Sequence, residues 1–102
     1  LHSGGFIVPS YELVCILNAN LSEDDFSRVL GKVNDLITKF GGTVSETTQW
    51  GKRRLAYPIK KQSEGNYVLE KVQIQQTALK ELDANLKLSE DVLRYLFIRE
   101  NS

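Results

Sequence analysis

An α+β fold is what this sequence predicts: a four-stranded antiparallel sheet with two helices on one face, in the order βαββαβ. Three observations predict it. Four runs rich in β-branched and aromatic residues alternate along the chain with two segments of helical periodicity. The helical segments separate the first strand from the second and the third from the fourth, leaving a local hairpin in the middle. At 102 residues the chain is long enough for a single core and too short for two.

The first strand is read from "YELVCILNA" (11–19). Tyr11, Leu13, Cys15 and Leu17 share one face, while Val14 and Ile16 make the other face apolar as well. "SEDD" then opens a helix. Ser22 is the expected N-cap, Asp25 stands in for Glu at the capping-box position, and Glu23 and Asp24 complement the helix dipole. Phe26, Val29, Leu30, Val33, Leu36, Ile37 and Phe40 form one continuous stripe, the strongest periodic signal in the chain. Gly41-Gly42 ends it with residues that accept positive φ.

"TVSETTQW" (43–50) reads as the second strand, with a basic stretch after it. "SEG" (63–65) is the expected turn and "NYVLEKVQIQ" (66–75) the third strand, a hairpin with a mobile tip. "TALKELDANLKL" (77–88) is the second helix, capped by Thr77, with Leu79, Leu82 and Leu86 inward. "DVLRYLFIRE" (91–100) is the last strand. Period-two alternation puts Val92, Leu96 and Ile98 on one face and Leu93, Tyr95 and Phe97 on the other.

The economical packing of this order is the ferredoxin-like split βαβ, with strand order 4-1-3-2 and the first and third strands central. Its helices cover one face only, yet the first and last strands are apolar on both. A bare second face exposes a patch, and such patches serve partners. Leu93, Tyr95 and Phe97 are the expected lining of that partner surface. The bland alternative is that Tyr95 and Phe97 cover one another on a single-layer sheet. The domain is expected to span residues 10–100, with 1–9 a flexible leader or tail and 101–102 a short C-terminal end.

Composition excludes several functions. Apolar content of 41% and charged content of 25% suit a globular fold. The 13 basic and 13 acidic residues cancel, so attraction to a polyanion has to come from a local patch. One cysteine and one histidine rule out an internal disulfide and any metal site of several soft ligands. Cys15, in an apolar run, reads as a buried small hydrophobe, and a lone thiol fits a reducing compartment. His2 lies in the leader and is given no role. No apolar run approaches the ~20 residues of a membrane span.

Neither a cofactor nor catalysis is expected. The loop after the first strand, "NANLS", has no glycine or arginine with which to cradle phosphate, as an acylphosphatase-like site would need. The carboxylates of Glu23, Asp24 and Asp25, and of Glu90 and Asp91, are explained by dipole and turn chemistry.

What remains unexplained is "WGKRRLAYPIKK" (50–61), where Lys52, Arg53, Arg54, Lys60 and Lys61 gather with no acid between Glu46 and Glu64. Arginine grips phosphate bidentately and lysine adds mobile charge. Trp50 and Tyr57 offer faces for unpaired bases or for a neighbouring guanidinium. Pro58, lacking a donor, favours an edge or bend. A strand edge guarded by cations against sheet-to-sheet pairing accounts for the same pattern. Sequence physics leaves RNA contact and edge protection both open. The platform of an RNA-recognition motif is a poor match, because Tyr67 is the only aromatic at its stacking positions in "EGNYVLEKVQI".

Four blocks, "YELVCILNANLSED", "WGKRRLAYPIKK", "EGNYVLEKVQI" and "LKLSEDVLRYLFIRE", resemble the bacterial-type family of small-subunit ribosomal protein number six. The likeness runs from about Pro9 to Glu100, and "GKRRLAYPI" is its most specific part. The resemblance implies a structural constituent of the small ribosomal subunit without catalytic activity. It implies binding to the central domain of small-subunit ribosomal RNA (the platform), cooperatively with small-subunit protein number eighteen. Lys52, Arg53, Arg54 and Tyr57 match the family block as RNA contacts; Trp50, Lys60, Lys61 and Arg94 are further candidates. The isolated chain is expected to be a monomer. The expected place is the ribosome of a bacterial cytoplasm, with the plastid stroma or mitochondrial matrix as the alternative. A rival of another class is a ferredoxin-like homodimeric interaction or regulatory domain without RNA binding. It uses the apolar face but gives the basic block no task.

Overall fold

The computed structural model describes residues 8–100. Its elements are β1 (Ser10–Asn18), α1 (Glu23–Lys39), β2 (Thr43–Ile59), β3 (Gln62–Gln73), α2 (Gln76–Leu86) and β4 (Val92–Arg99). The sheet order is β2-β3-β1-β4 with every neighbouring pair antiparallel, so the predicted ferredoxin-like topology is the one observed. The expected leader, 1–9, lies outside the described residues apart from Val8 and Pro9, and Pro9 accepts a hydrogen bond from the Ile74 N–H at 3.2 Å. Residues 101–102 lie outside as well.

The core forms between the helices and one sheet face. Tyr11, Leu13, Cys15 and Leu17 of β1 and Val68 and Val72 of β3 meet Phe26, Val29, Leu30, Val33 and Ile37 of α1 and Leu82 and Leu86 of α2. These are the residues that period two and period 3.6 select. Ser22 caps α1 as expected, accepting from the Asp25 N–H at 3.2 Å. Asp25 does not close the reciprocal half of the box; its carboxylate pairs instead with Arg28 at 2.9 Å. Gly41, at φ +85, terminates the helix. Thr77, by contrast, is no cap. α2 begins a residue earlier, at Gln76, and its first turn is closed by the backbone bond from Ala78 to Gln75 at 2.9 Å.

The hairpin departs from expectation. β2 continues through the basic stretch, and the chain reverses at Lys60–Lys61, with φ of 49° and 65°, rather than at 63–65. Two positive φ values in a two-residue loop make a turn whose twist matches the strands it joins. Asn-Gly usually signals such a turn, and Lys-Lys gives no signal. Gly65 instead lies within β3, opposite Asn18 and Arg53, for a packing reason. A Cβ there would collide with the Ile16 side chain.

β4 holds the second departure. Its register against β1 runs Ile16↔Arg94 and then Leu17↔Val92, so Leu93 is an extra residue in a β-bulge. The bulge inverts the alternation. Val92 faces the helices and Leu93 the opposite, outer face; beyond the bulge Tyr95 and Phe97 face the helices. Tyr95 donates from its hydroxyl to Asp83 of α2, at 2.5 Å to Oδ1 and 3.0 Å to the carbonyl. Tyr95 and Phe97 therefore do not line the outer surface. Leu96 and Ile98 do, at 58% and 44% exposure.

One charge is buried in the core. Glu70 of β3 has no exposed surface. Thr47 of β2 donates to its Oε2 at 2.9 Å, and Asn34 of α1, with its amide nitrogen turned toward the carboxylate, lies 2.8 Å from both oxygens. Burial pushes the Glu70 carboxyl above its ordinary 4.5, and the two donors oppose that rise. Burial and the nearby Glu70 push the Cys15 thiol up to about 12, so it stays protonated and inert, a small core hydrophobe.

Two outcomes follow from this packing. Gly65→Ala forces Ile16 or the hairpin to shift and should cost about 1–3 kcal/mol, read as a lower urea midpoint. For Glu70 the sign is set by its raised folded value. The folded state binds this proton more tightly than the unfolded chain, so the group's stabilising contribution is full below about pH 4.5 and is lost as pH rises through the folded value. Thr47→Val removes a donor to the ionised form. Its deficit should reach about 1–3 kcal/mol at pH 7 and shrink at pH 4. Equal deficits at both pH values would show that Thr47 does not serve the carboxylate.

Candidate nucleic-acid interface

The basic block lies on β2, an edge strand of the sheet. Register fixes which way its cations point. Arg53 stands opposite Gly65, on the outer face, while Lys52 and Arg54 stand opposite Asn66 and Glu64, on the helix side. Lys52 there borders a cleft with Leu21, Glu23 and Phe26 at the start of α1. The cations thus straddle the free edge instead of paving one face. Trp50 sits in a bulge where Gln49 pairs with Val68 and Gly51, at φ +83, pairs with Tyr67. Released from the ladder, Trp50 is 45% exposed.

Beyond Arg54 the strand leaves its partner. Arg54 pairs with Glu64 and Ile59 with Gln62, so residues 55–58, Leu-Ala-Tyr-Pro, arch out opposite the single residue Ser63. Pro58 has no N–H to pair, and here none is called for. The arch turns onto the outer face. Leu55 is buried against Ile16 of β1 and Leu93 of β4, with Ile59 and Tyr67 beside them. Tyr57 lies farther out, 57% exposed. Its hydroxyl accepts from Arg94 Nη1 at 2.6 Å, and the guanidinium carbon is 5.9 Å from its ring centroid. Lys60, at the turn, donates from Nζ to the carbonyls of Ser89 at 3.4 Å and Val92 at 3.2 Å. Asn20, in the loop after β1, donates to Gln62 at 3.0 Å. The two opposite edges of the sheet are therefore bridged across its outer face, and a cavity of about 130 Å³ lies under the bridge beside Tyr57, Tyr67 and Arg94.

Glu64 stands across the ladder from Arg54 and Glu23 borders the same cleft as Lys52, but neither closes an ion pair with the block. Among the described residues the ion pairs are Arg28–Asp25, Lys71–Glu46 and Lys87–Asp83, and none involves Lys52, Arg53, Arg54, Lys60, Lys61 or Arg94. Unpaired cations on a free edge, with Trp50 and Tyr57 among them, suit a polyanion carrying bases. Among the described residues no group of three His, Cys, Asp or Glu is placed to hold a metal ion, and no helix is long and apolar enough to cross a membrane.

Of the residues expected to form the site, Tyr57, Lys60 and Arg94 converge on one bridge, while Lys52, Arg53, Arg54 and Trp50 are spread along the edge. Of the expected partner residues, Leu93 is on the outer face but covered by Leu55, and Tyr95 and Phe97 belong to the core. Leu96 and Ile98 are the residues exposed on that face instead, because nothing in "DVLRYLFIRE" marks the bulge at Leu93.

Comparison with known proteins identifies the family. Residues 10–99 match the family model described as Ribosomal protein S6. The small ribosomal subunit protein bS6 of Dictyoglomus turgidum is 43% identical over 86 residues, covering 84% of this chain and 89% of that protein. The bS6 of Fusobacterium nucleatum is 37% identical over 91 residues, covering 89% and 97% respectively. The crystal structure of 30S ribosomal protein S6 from Thermotoga maritima superposes with a TM-score of 0.84 at 24% identity, covering 92% of this chain and 89% of that one, which supports the fold. The chain belongs to the ribosomal protein S6 family of the small ribosomal subunit, a family of ribosomal structural proteins and not of enzymes.

Proposed function

We propose that this protein binds the central domain of small-subunit ribosomal RNA through the free β2 edge and its arch, cooperatively with small-subunit ribosomal protein number eighteen. The observation that carries the reading is the set of cations itself: Lys52, Arg53 and Arg54 close no ion pair and straddle an exposed strand. Phosphate contacts by such cations release counterions and supply affinity without sequence preference. Trp50 and Tyr57 add surfaces for unpaired bases. Because the chain as a whole is neutral, its own long-range attraction to RNA is weak, and a basic partner supplies the missing field.

Leu96 and Ile98, exposed on the outer face of β4, replace Tyr95 and Phe97 as the surface offered to that partner. β4 is also a free edge, so a partner strand could add to it there. The main core closes within one chain, which supports a monomer in isolation. The relatives are bacterial, which supports a place on a bacterial ribosome in the cytoplasm; a plastid or mitochondrial ribosome would present the same RNA class. A homodimer through Leu96 and Ile98 is the rival that this exposed pair favours, but it leaves the cations of β2 without a task.

Replacing Arg53 and Arg54 together with Ala should weaken binding to a central-domain RNA fragment and reduce the salt slope by about 1 to 2, two phosphate contacts being lost. Binding across a salt series, with the partner protein present, measures both; an unaltered slope and affinity would refute contact by these arginines. Replacing Leu96 and Ile98 with Ser should leave the melting temperature within a few degrees of the parent while abolishing the mutual gain in RNA affinity between the two proteins. Titrations with each protein alone and with both together decide it. A gain that survives the replacements places the partner elsewhere.

A further inference from the structure

We infer that Tyr57 is a stacking platform for an unpaired RNA base, and that Arg94 and Lys60 are positioning residues that hold it in place rather than phosphate contacts. This rests on the RNA-binding reading above and deepens it. Residues 55–58 have no ladder partners, so the position of Tyr57 depends on what holds the arch. Three contacts do so. Leu55 is buried on Ile16 and Leu93, Arg94 Nη1 donates to the Tyr57 hydroxyl at 2.6 Å, and Lys60 Nζ donates to the Ser89 and Val92 carbonyls.

The geometry separates the cations by task. Lys60 turns its ammonium back onto the backbone leading into β4, and Arg94 turns toward a phenol. Lys52 and Lys61 make no side-chain hydrogen bond among the described residues, and Arg53 bonds only the neighbouring Lys52 carbonyl. A phenol whose oxygen is already bonded has a restricted ring orientation, yet Tyr57 keeps more than half of its surface open. Such a ring receives a base at little further ordering cost, because it is pre-organised. An unpaired base in a loop or bulge is the ligand class this fits; a base within a duplex cannot present its face.

The test uses the full-length protein with its partner and a central-domain RNA fragment, over a salt series. Tyr57→Ala should lower affinity roughly 5- to 100-fold, the range for one lost base–aromatic stack, with the salt slope unchanged. Arg94→Ala should lose part of that affinity, also at constant slope, and should add nothing in a Tyr57→Ala background. Lys60→Gln, which keeps donors for the carbonyls but no charge, should restore affinity that Lys60→Ala loses. A slope reduced by about 0.7 to 0.9 per cation removed, additive losses, no rescue by Gln, or unchanged affinity in Tyr57→Ala would overturn the assignment. Amide exchange across residues 55–60 tests the holding contacts without RNA and should accelerate in Arg94→Ala and Lys60→Ala. If the parent binds no RNA, the functional reading and the base platform both fail, and exchange alone still decides whether the arch is held as described.

Discussion

Burial of β1 on both of its faces is the constraint from which the rest of the molecule follows. Its inner face, Leu13, Cys15 and Leu17, is sealed by the two helices. Its outer face presents Ile16, which no helix reaches, and leaving that side chain in water would forfeit on the order of 1.5–3 kcal/mol. Leu55 from one edge and Leu93 from the other close over it. Each reaches its place through an irregularity, the arch at 55–58 and the bulge in β4. Covering one isoleucine therefore bends the basic arm across the sheet and brings Tyr57 to Arg94. The geometry of the candidate site is a consequence of completing the core.

Glu70 belongs to the same constraint, from the opposite face. A carboxylate without exposed surface is costly unless its oxygens are bonded. Thr47 and Asn34 satisfy it from two different elements, β2 and α1. The register of the edge strand is thereby tied to α1. A one-residue slip of β2 would turn Thr47 away, strand the carboxylate and move every cation of the block to the other side of the edge. A buried polar group that fixes register is a plausible use of an interaction that contributes little net stability.

Most of the fold was legible in the sequence, because its signals are periodic. The stripe from Phe26 to Phe40 and the alternation in β1 select the core side chains by spacing alone, and Ser22 marks its helix start. The misplaced features share a different origin: none is encoded locally. Lys60–Lys61 occupies a turn that normally advertises itself with Asn or Gly, while Gly65, which reads as a turn residue, is required inside a strand by the bulk of Ile16. The bulge at Leu93 leaves no mark, and one inserted residue is enough to exchange Tyr95 and Phe97 for Leu96 and Ile98 on the outer face. Thr77 has a capping side chain, but the backbone starts the helix before it. The cations of the site were legible as composition. Their division between the two sides of an edge was not, since it depends on register against β3.

How a neutral chain concentrates positive charge has a structural answer. Arg28–Asp25, Lys71–Glu46 and Lys87–Asp83 each pair a cation with an acid near the helices or along the lower part of β2 and β3. Such pairs are neutral, and the block is balanced because all 13 acidic residues lie outside the stretch that holds five of the 13 basic ones. Along residues 52–61 no acid intervenes, so the local field there is positive although the total is zero. Screening over about 8 Å at physiological salt makes such a patch effective only at short range. On the RNA-binding reading proposed above, a surface of this kind would not gather RNA from a distance but would meet a backbone already brought close. On that same reading, assembly beside a more basic neighbour is the setting in which a short-range, pre-formed edge suffices, with orientation rather than attraction as the contribution of this chain.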